Sequence, residues 1–281
     1  MRTILTSLLL FTGIASGTLQ AGQIDEELAD GIRVNAIYEP AEPGKPVVLL
    51  IHPLQQTYHF STIAGLADNL TDNGYGLLTP NLSLGISNRK QSLECEAIHS
   101  HTLDKDIDEI GFWINWLKRT TDSPIVAMGH STGALQVLGY RDDAQLQSMI
   151  LISLVTIGPF GAAAIDTAQL EMALTDRQQG NPNRLGQYKF SYCNNYVTTR
   201  DTYLDLATWD DEKVSAQLRG VTIPVHIILA DEDYAQHDRW LSNLELPNLQ
   251  VHRIEGGNHF FSGTREFELH DKVIEILEES Q

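Results

Sequence analysis

The chain predicts an α/β fold: a mostly parallel sheet with helices on both faces, interrupted by an insertion after the sixth strand. Three observations predict it. Short continuous apolar runs such as Val47-Val48-Leu49-Leu50-Ile51 and Met149-Ile150-Leu151-Ile152 read as strands buried on both faces, as parallel strands are. Amphipathic stretches alternate with them, the order expected of β-α-β units. The alternation breaks from about Gly158 to Gly220 and resumes at Ile223.

The elements follow in order. After residue 22 the chain opens with two extended segments split by Asp30-Gly31, a hairpin signal. Val34–Tyr38 reads as a half-buried strand by its alternation. Pro40, Pro43, Gly44 and Pro46 form a turn-rich link to the run Val47–Ile51. Ser61–Asn73 carries Ile63, Leu66, Ala67 and Leu70 at helical spacing, with Gly74 as its stop. Gly76–Pro80 is a short strand. Asp104–Arg119 is the clearest helix: Ile107, Ile110, Ile114 and Leu117 form one face, acids fill its first turns, and Lys118 and Arg119 close it. Ile125–Met128 then leads into Gly129-His130-Ser131-Thr132-Gly133, followed by a helix from Ala134. Met149–Leu154 is a further buried strand. Beyond the insertion, Ile223–Leu229 and Leu249–Ile254 complete the sheet, and Phe267–Glu279 closes the chain as an amphipathic helix.

Composition narrows the function. The chain has 281 residues and a formal net charge of −18. That charge is repelled by phosphate backbones and anionic lipid, and no basic stripe offsets it, so nucleic acid is excluded as a partner. Arg2, the apolar stretch Ile4–Ile14 and the small-residue endings before Gly17 and after Gln20 form a signal-peptide pattern, with cleavage expected after Ala21. The stretch is short for a membrane span. The expected mature protein is exported, to a periplasm first and to the medium as the alternative, with no stable membrane insertion. Two cysteines, Cys95 and Cys193, permit one disulfide in an oxidising compartment; two unpaired buried thiols are the other reading.

The pentapeptide carries the chemistry. A strand that turns sharply into a helix at a serine leaves the hydroxyl exposed at the strand tip. The flanking glycines are required because bulkier residues two places either side would clash with the turn. The helix end below favours negative charge, which develops on a carbonyl oxygen under attack.

Ser131, then Asp233, then His259 resemble the α/β-hydrolase superfamily, in that family's order of nucleophile, acid and histidine. The resemblance runs from about Val47 to the C-terminus and identifies no subfamily. It implies a core of residues 22–157 and 221–281 and a lid over the site from residues 158–220. Ser131 is implied as nucleophile. His259, on the loop Glu255-Gly256-Gly257-Asn258-His259 after the last strand, is implied as base. Family members often carry Gly-x-x-Asp after the preceding strand. Ala230-Asp231-Glu232-Asp233 keeps that spacing and points to Asp233, with Asp231 in reserve. The implied oxyanion hole is the backbone N–H of Thr132 and that of Leu54. The family often has His-Gly before the latter donor; here His52-Pro53 stands there, and proline has no N–H to give. Gln55 or Gln56 could add a side-chain donor.

The implied activity is an exported serine hydrolase acting on a small-molecule ester or related acyl compound, with no cofactor and no metal. A thioesterase, amidase, peptidase or acyltransferase uses the same machinery. A binding protein on the same scaffold is the reading from a different class. Cys95, His99, His101 and Cys193 do not match zinc-ligand spacing. Tyr188, Phe190, Tyr192, Tyr196 and Tyr203 make the insertion aromatic, with packing against the body their first reading and an acyl or aryl pocket the second.

Overall fold

A computed structural model describes residues 21–159 and 161–280. The signal-peptide expectation falls on residues 1–21 and so, apart from Ala21, lies outside the described residues. Twelve strands and eight α-helices follow in the order β1 (Gly22–Glu27), β2 (Arg33–Glu39), β3 (Val47–Ile51), α1 (Ser61–Asp72), β4 (Gly76–Asn81), α2 (Leu103–Thr120), β5 (Ile125–His130), α3 (Thr132–Leu138), β6 (Ser148–Ile152), β7 (Ile157–Gly158), β8 (Ala163–Ala164), α4 (Thr167–Gln178), β9 (Leu185–Phe190), β10 (Cys193–Thr199), α5 (Arg200–Leu206), α6 (Asp211–Gly220), β11 (Val225–Ala230), α7 (Asp231–Leu241), β12 (Leu249–Ile254) and α8 (Arg265–Glu279).

The main sheet runs β1-β2-β4-β3-β5-β6-β11-β12. From β4 to β12 every pairing is parallel; β1 with β2 and β2 with β4 are antiparallel. The expected helices sandwich it. Val47, Leu49 and Ile51 join the apolar layer shared with α2, α3 and α6. Val48 and Leu50 join the opposite layer with α1 and α8. Alternate residues of one strand thus feed two cores, which is why β3 is apolar throughout. Among the described residues no helix is long and apolar enough to cross a membrane.

One expectation changes. Asn35, read as an outward position of an alternating strand, is buried because its amide donates to Arg89 C=O and its carbonyl accepts from Asn81. Asp231, Glu232 and Asp233 open helix α7, directly after β11.

Between β6 and β11 the chain forms a two-stranded β9–β10 unit, the short β7–β8 pair and helices α4 to α6. Tyr188, Phe190, Tyr196 and Tyr203 are buried there, while Tyr192 is exposed between β9 and β10. Cys193 bonds to Cys95, with Cα atoms 5.5 Å apart, so the insertion is tied to the long connection between β4 and α2.

The sharp turn after β5 is built as its glycines require. Ser131 has φ 59° and ψ −121°, outside the regions L-residues favour. A Cβ on Gly129 would stand 2.3 Å from Gly133 O; one on Gly133 would stand 2.6 Å from the carbonyl oxygens of both Ile51 and His52. Those neighbours are backbone in the sheet's centre and cannot yield. Gly133→Ala is expected to lower unfolding free energy by about 2–4 kcal/mol, read from urea denaturation of the two proteins.

Candidate active site

The site lies where parallel strands end, the usual location in open α/β sheets. Ser131 follows β5, Asp233 lies just beyond β11, and the His259 loop follows β12. The three form one hydrogen-bonded chain. Ser131 Oγ is 2.9 Å from His259 Nε2, and His259 Nδ1 is 2.7 Å from Asp233 Oδ1. With Nδ1–H donating to the carboxylate, Nε2 presents its lone pair to the hydroxyl, the geometry a general base needs.

Asp233 is 2 % exposed. Burial pushes its carboxyl upward, but the hydrogen bond and charge of His259 and the Ser153 hydroxyl outweigh this and hold it below the usual aspartate value. Asp231 faces elsewhere: Oδ1 accepts from Arg253 Nε at 2.6 Å and Oδ2 from Gly256 N–H at 2.6 Å. The Gly256 hydrogen bond, then Arg253, holds its carboxyl low. The reserve acid therefore anchors the loop that carries His259, and Asp233 meets the imidazole.

Sequence reasoning missed two supporting side chains. Ser153, directly after β6, donates its hydroxyl to Asp233 Oδ2 at 2.6 Å, with His259 C=O 3.0 Å away. Its φ of 46° is unusual for serine. His130, the second residue of the pentapeptide, donates through Nε2 to His259 C=O at 2.8 Å. Burial, and secondarily His259, pushes its imidazole down to about 4, so it is neutral at pH 7. Ser153 was legible only as a polar residue at a strand tip.

Leu54 and Thr132 both border the site. Thr132 is the first residue of α3, so its N–H has no partner within the helix. Leu54 N–H has no acceptor among the described residues. Its orientation is set through the other end of the same planar peptide. Pro53 C=O accepts from His52 Nδ1–H at 2.9 Å and from Gln56 N–H at 3.1 Å, which aims Leu54 N–H the opposite way. His52 Nε2 in turn accepts from Leu82 N–H and Arg89 Nη2. Burial, then the Arg89 charge, pushes this imidazole down to about 3, keeping Nε2 an acceptor. Pro53 thus serves through its carbonyl. Of the two glutamines, Gln55 turns its amide to Tyr192 and His99, and Gln56 borders the cavity.

The cavity holds about 470 Å³. Phe60 and Phe260 form one aromatic wall, Pro53, Leu54 and Tyr192 another, and Val155, Ala162, Ala163 and Ser191 come from β6 onward. Glu232 stands at its edge; no Lys or Arg lines it among the described residues. Among those residues no group of three or more His, Cys, Asp or Glu is placed to hold a metal, and both cysteines are joined to each other.

Among the described residues, two buried carboxylates lie outside this site on α2, Asp106 and Glu109. Glu109 of α2 accepts Ser83 N–H through both oxygens, at 3.0 and 2.9 Å. Burial pushes its carboxyl up to about 7, against those hydrogen bonds. A folded-state value above the unfolded one stabilises the fold fully below about pH 4.5, and that contribution is lost as pH rises through 7. Glu109→Gln, which mimics the protonated form, is expected to exceed the parent by ~1–3 kcal/mol at pH 8 and to match it at pH 5, in urea unfolding at the two pH values.

The family model described as a protein of unknown function (DUF1749) matches residues 58–226, more than half of the chain. Solved structures share the architecture. Est1E from Butyrivibrio proteoclasticus is 18% identical with a TM-score of 0.64, covering 92% of this chain and 98% of that one. The α/β hydrolase GrgF from Penicillium sp. sh18 is 12% identical with a TM-score of 0.70, covering 93% and 99%. The esterase Pf2001 from Pyrococcus furiosus is 13% identical with a TM-score of 0.57, covering 92% and 90%. No curated protein matches the chain by sequence. Likeness at these identities is one of fold, and that fold is the one expected from the order of Ser131, Asp233 and His259. The chain belongs to the DUF1749 family and has the α/β-hydrolase fold.

Proposed function

We propose that this protein is an exported serine hydrolase that cleaves a carboxylic ester or related acyl bond through an acyl-enzyme. The observation that carries the reading is the continuous chain Ser131 Oγ, His259, Asp233 at the strand ends. His259 Nε2 takes the Ser131 proton as Oγ attacks the acyl carbonyl. Asp233 keeps the imidazole in the productive tautomer and stabilises the imidazolium that forms. Leu54 N–H and Thr132 N–H receive the oxyanion. His259 then protonates the leaving group, and in the second half it activates water against the acyl-enzyme. The residues 158–220 act as the lid that shapes the pocket.

The lining favours a neutral acyl group. Its walls are aromatic and aliphatic, and the added charge at its edge, Glu232, is negative. The fold neighbour from Pyrococcus furiosus carries the name esterase, in keeping with an ester substrate. Export to a periplasm, or secretion as the alternative, is supported by the N-terminal pattern and by a disulfide, which persists in oxidising compartments.

A panel of aryl and alkyl esters, thioesters and amides of graded acyl length tests this. Hydrolysis with an initial burst equal to the enzyme concentration on activated esters supports the acyl-enzyme. Turnover confined to amides or thioesters would redirect the substrate class. No turnover of any member by folded protein would remove the reading.

A further inference from the structure

The turn that presents Leu54 N–H is held from two sides. The core side is His52. The other side is Gln55, a non-glycine residue at φ 60° and 1 % exposed. Its positive φ lets Gln56 N–H reach Pro53 C=O, the bond that helps aim Leu54 N–H. A glutamine holds this conformation only where its surroundings over-determine it.

Those surroundings come from the insertion and the segment bonded to it. Gln55 C=O accepts from Leu93 N–H at 2.9 Å. Its Oε1 accepts from the Tyr192 hydroxyl at 2.9 Å, and its Nε2 lies 3.0 Å from His99 Nε2. Burial, then His101, pushes His99 down to about 4, so its ring is neutral; the same Nε2 lies 3.1 Å from Glu94 C=O, which ties the ring to the segment before Cys95. His99 stacks on Tyr196 of β10 with ring centroids 4.2 Å apart, and its backbone N–H donates to Val197 C=O. Tyr192 is the residue before Cys193, and the disulfide joins Cys193 to Cys95, two residues after Leu93. Val197 N–H closes the patch onto Cys95 C=O.

We infer that Gln55 is the positioning residue of the oxyanion turn, and that the Cys95–Cys193 disulfide sets the catalytic rate through it by holding Tyr192 and the Leu93–His99 segment against it. The inference rests on the hydrolase reading above. The insertion is then a fixed clasp on the turn. Dithiothreitol opens it by two thiol–disulfide exchanges: the S–S bond breaks, the protein gains two electrons and two protons as two thiols, and the reagent closes to its cyclic disulfide. Tyr192 and His99 then lose their fixed distance to Gln55, and the turn relaxes. A displacement of about 1 Å in an oxyanion donor costs up to about 100-fold in rate.

The test measures kcat and KM on one neutral ester, in the oxidised and the dithiothreitol-reduced state, with thiol alkylation scoring the bond. The proteins are the parent, Cys95→Ala/Cys193→Ala, Gln55→Met, Tyr192→Phe and Gln55→Met/Tyr192→Phe, each shown folded by circular dichroism. Reduction of the parent is expected to lower kcat by about 10-fold or more with KM within about two-fold, and the double-alanine protein is expected to match it. Gln55→Met is expected to lose about 100-fold and to respond less than the parent both to reduction and to the added Tyr192→Phe, because the side-chain amide is gone while the Leu93 N–H bond to the backbone C=O and the 3.4 Å contact of the Tyr192 hydroxyl with Leu54 C=O do not depend on it. Overturning results are a parent whose kcat is unchanged once both thiols are alkylated, or a Gln55→Met protein as sensitive to reduction as the parent. Tyr192→Phe keeps the test informative if Gln55→Met does not fold: equal kcat in it and the parent also overturns the inference. An oxidised parent inert toward every ester and toward a fluorophosphonate removes the hydrolase reading itself, and this inference with it.

Discussion

Ser131→Ala is expected to lower kcat by about 10⁴- to 10⁶-fold while leaving the urea unfolding midpoint close to the parent's. The size follows from the site's connectivity. Ser131 Oγ is the atom His259 Nε2 addresses at 2.9 Å, and removing it leaves the imidazole–Asp233 pair without a nucleophile to activate. The residue's backbone role is separate. Its N–H donates to Ile152 C=O at 2.8 Å, and alanine keeps that bond. The turn itself is set by Gly129 and Gly133, where a Cβ has no room, so activity and fold are separable at position 131. The variant is compared with the parent in steady-state ester hydrolysis and in urea denaturation. A variant within about 10-fold of the parent rate would show that another group attacks.

Asp233→Asn is expected to lower kcat by about 10⁴-fold near neutral pH, whereas Asp231→Asn should cost far less. An asparagine amide at 233 can donate to His259 Nδ1 and stabilise the wrong tautomer, with Nε2 carrying the proton and unable to accept from Ser131. It also withdraws the negative charge that the imidazolium needs. Asp231 has no contact with the imidazole; its oxygens hold Arg253 and Gly256, so its loss loosens the His259 loop without changing the tautomer. Parallel kcat measurements on the two variants distinguish the acids. A larger loss at 231 than at 233 would reverse the assignment.

The fold was legible where periodicity is strong. The run Val47–Ile51 announces a strand buried on both faces, and α2 spans Leu103–Thr120 against an expected Asp104–Arg119. Asn35 misled the alternation because hydrogen bonds to Arg89 and Asn81 let an amide sit inside. Within the site, Ser131, His259 and the choice of Asp233 over Asp231 came from the resemblance to the α/β-hydrolase order of nucleophile, acid and histidine; the chemistry alone fixes no order along the chain. The supporting side chains could not be read that way. Ser153, His130, His52 and Gln55 act through contacts with residues far away in sequence, such as the Ser153–Asp233 and Gln55–His99 bonds, and no local pattern encodes a partner so distant. The cysteines show the same limit: sequence permits a bond, and only placement brings the Cα atoms to 5.5 Å.

The most direct measurement is labelling of the purified protein with a fluorophosphonate, which reacts with a serine only when a base and an oxyanion hole activate it. Stoichiometric labelling of the parent at Ser131, located by peptide mass, and none in Ser131→Ala is the expected result. A folded parent that takes no label, or one that labels equally after the substitution, would contradict it.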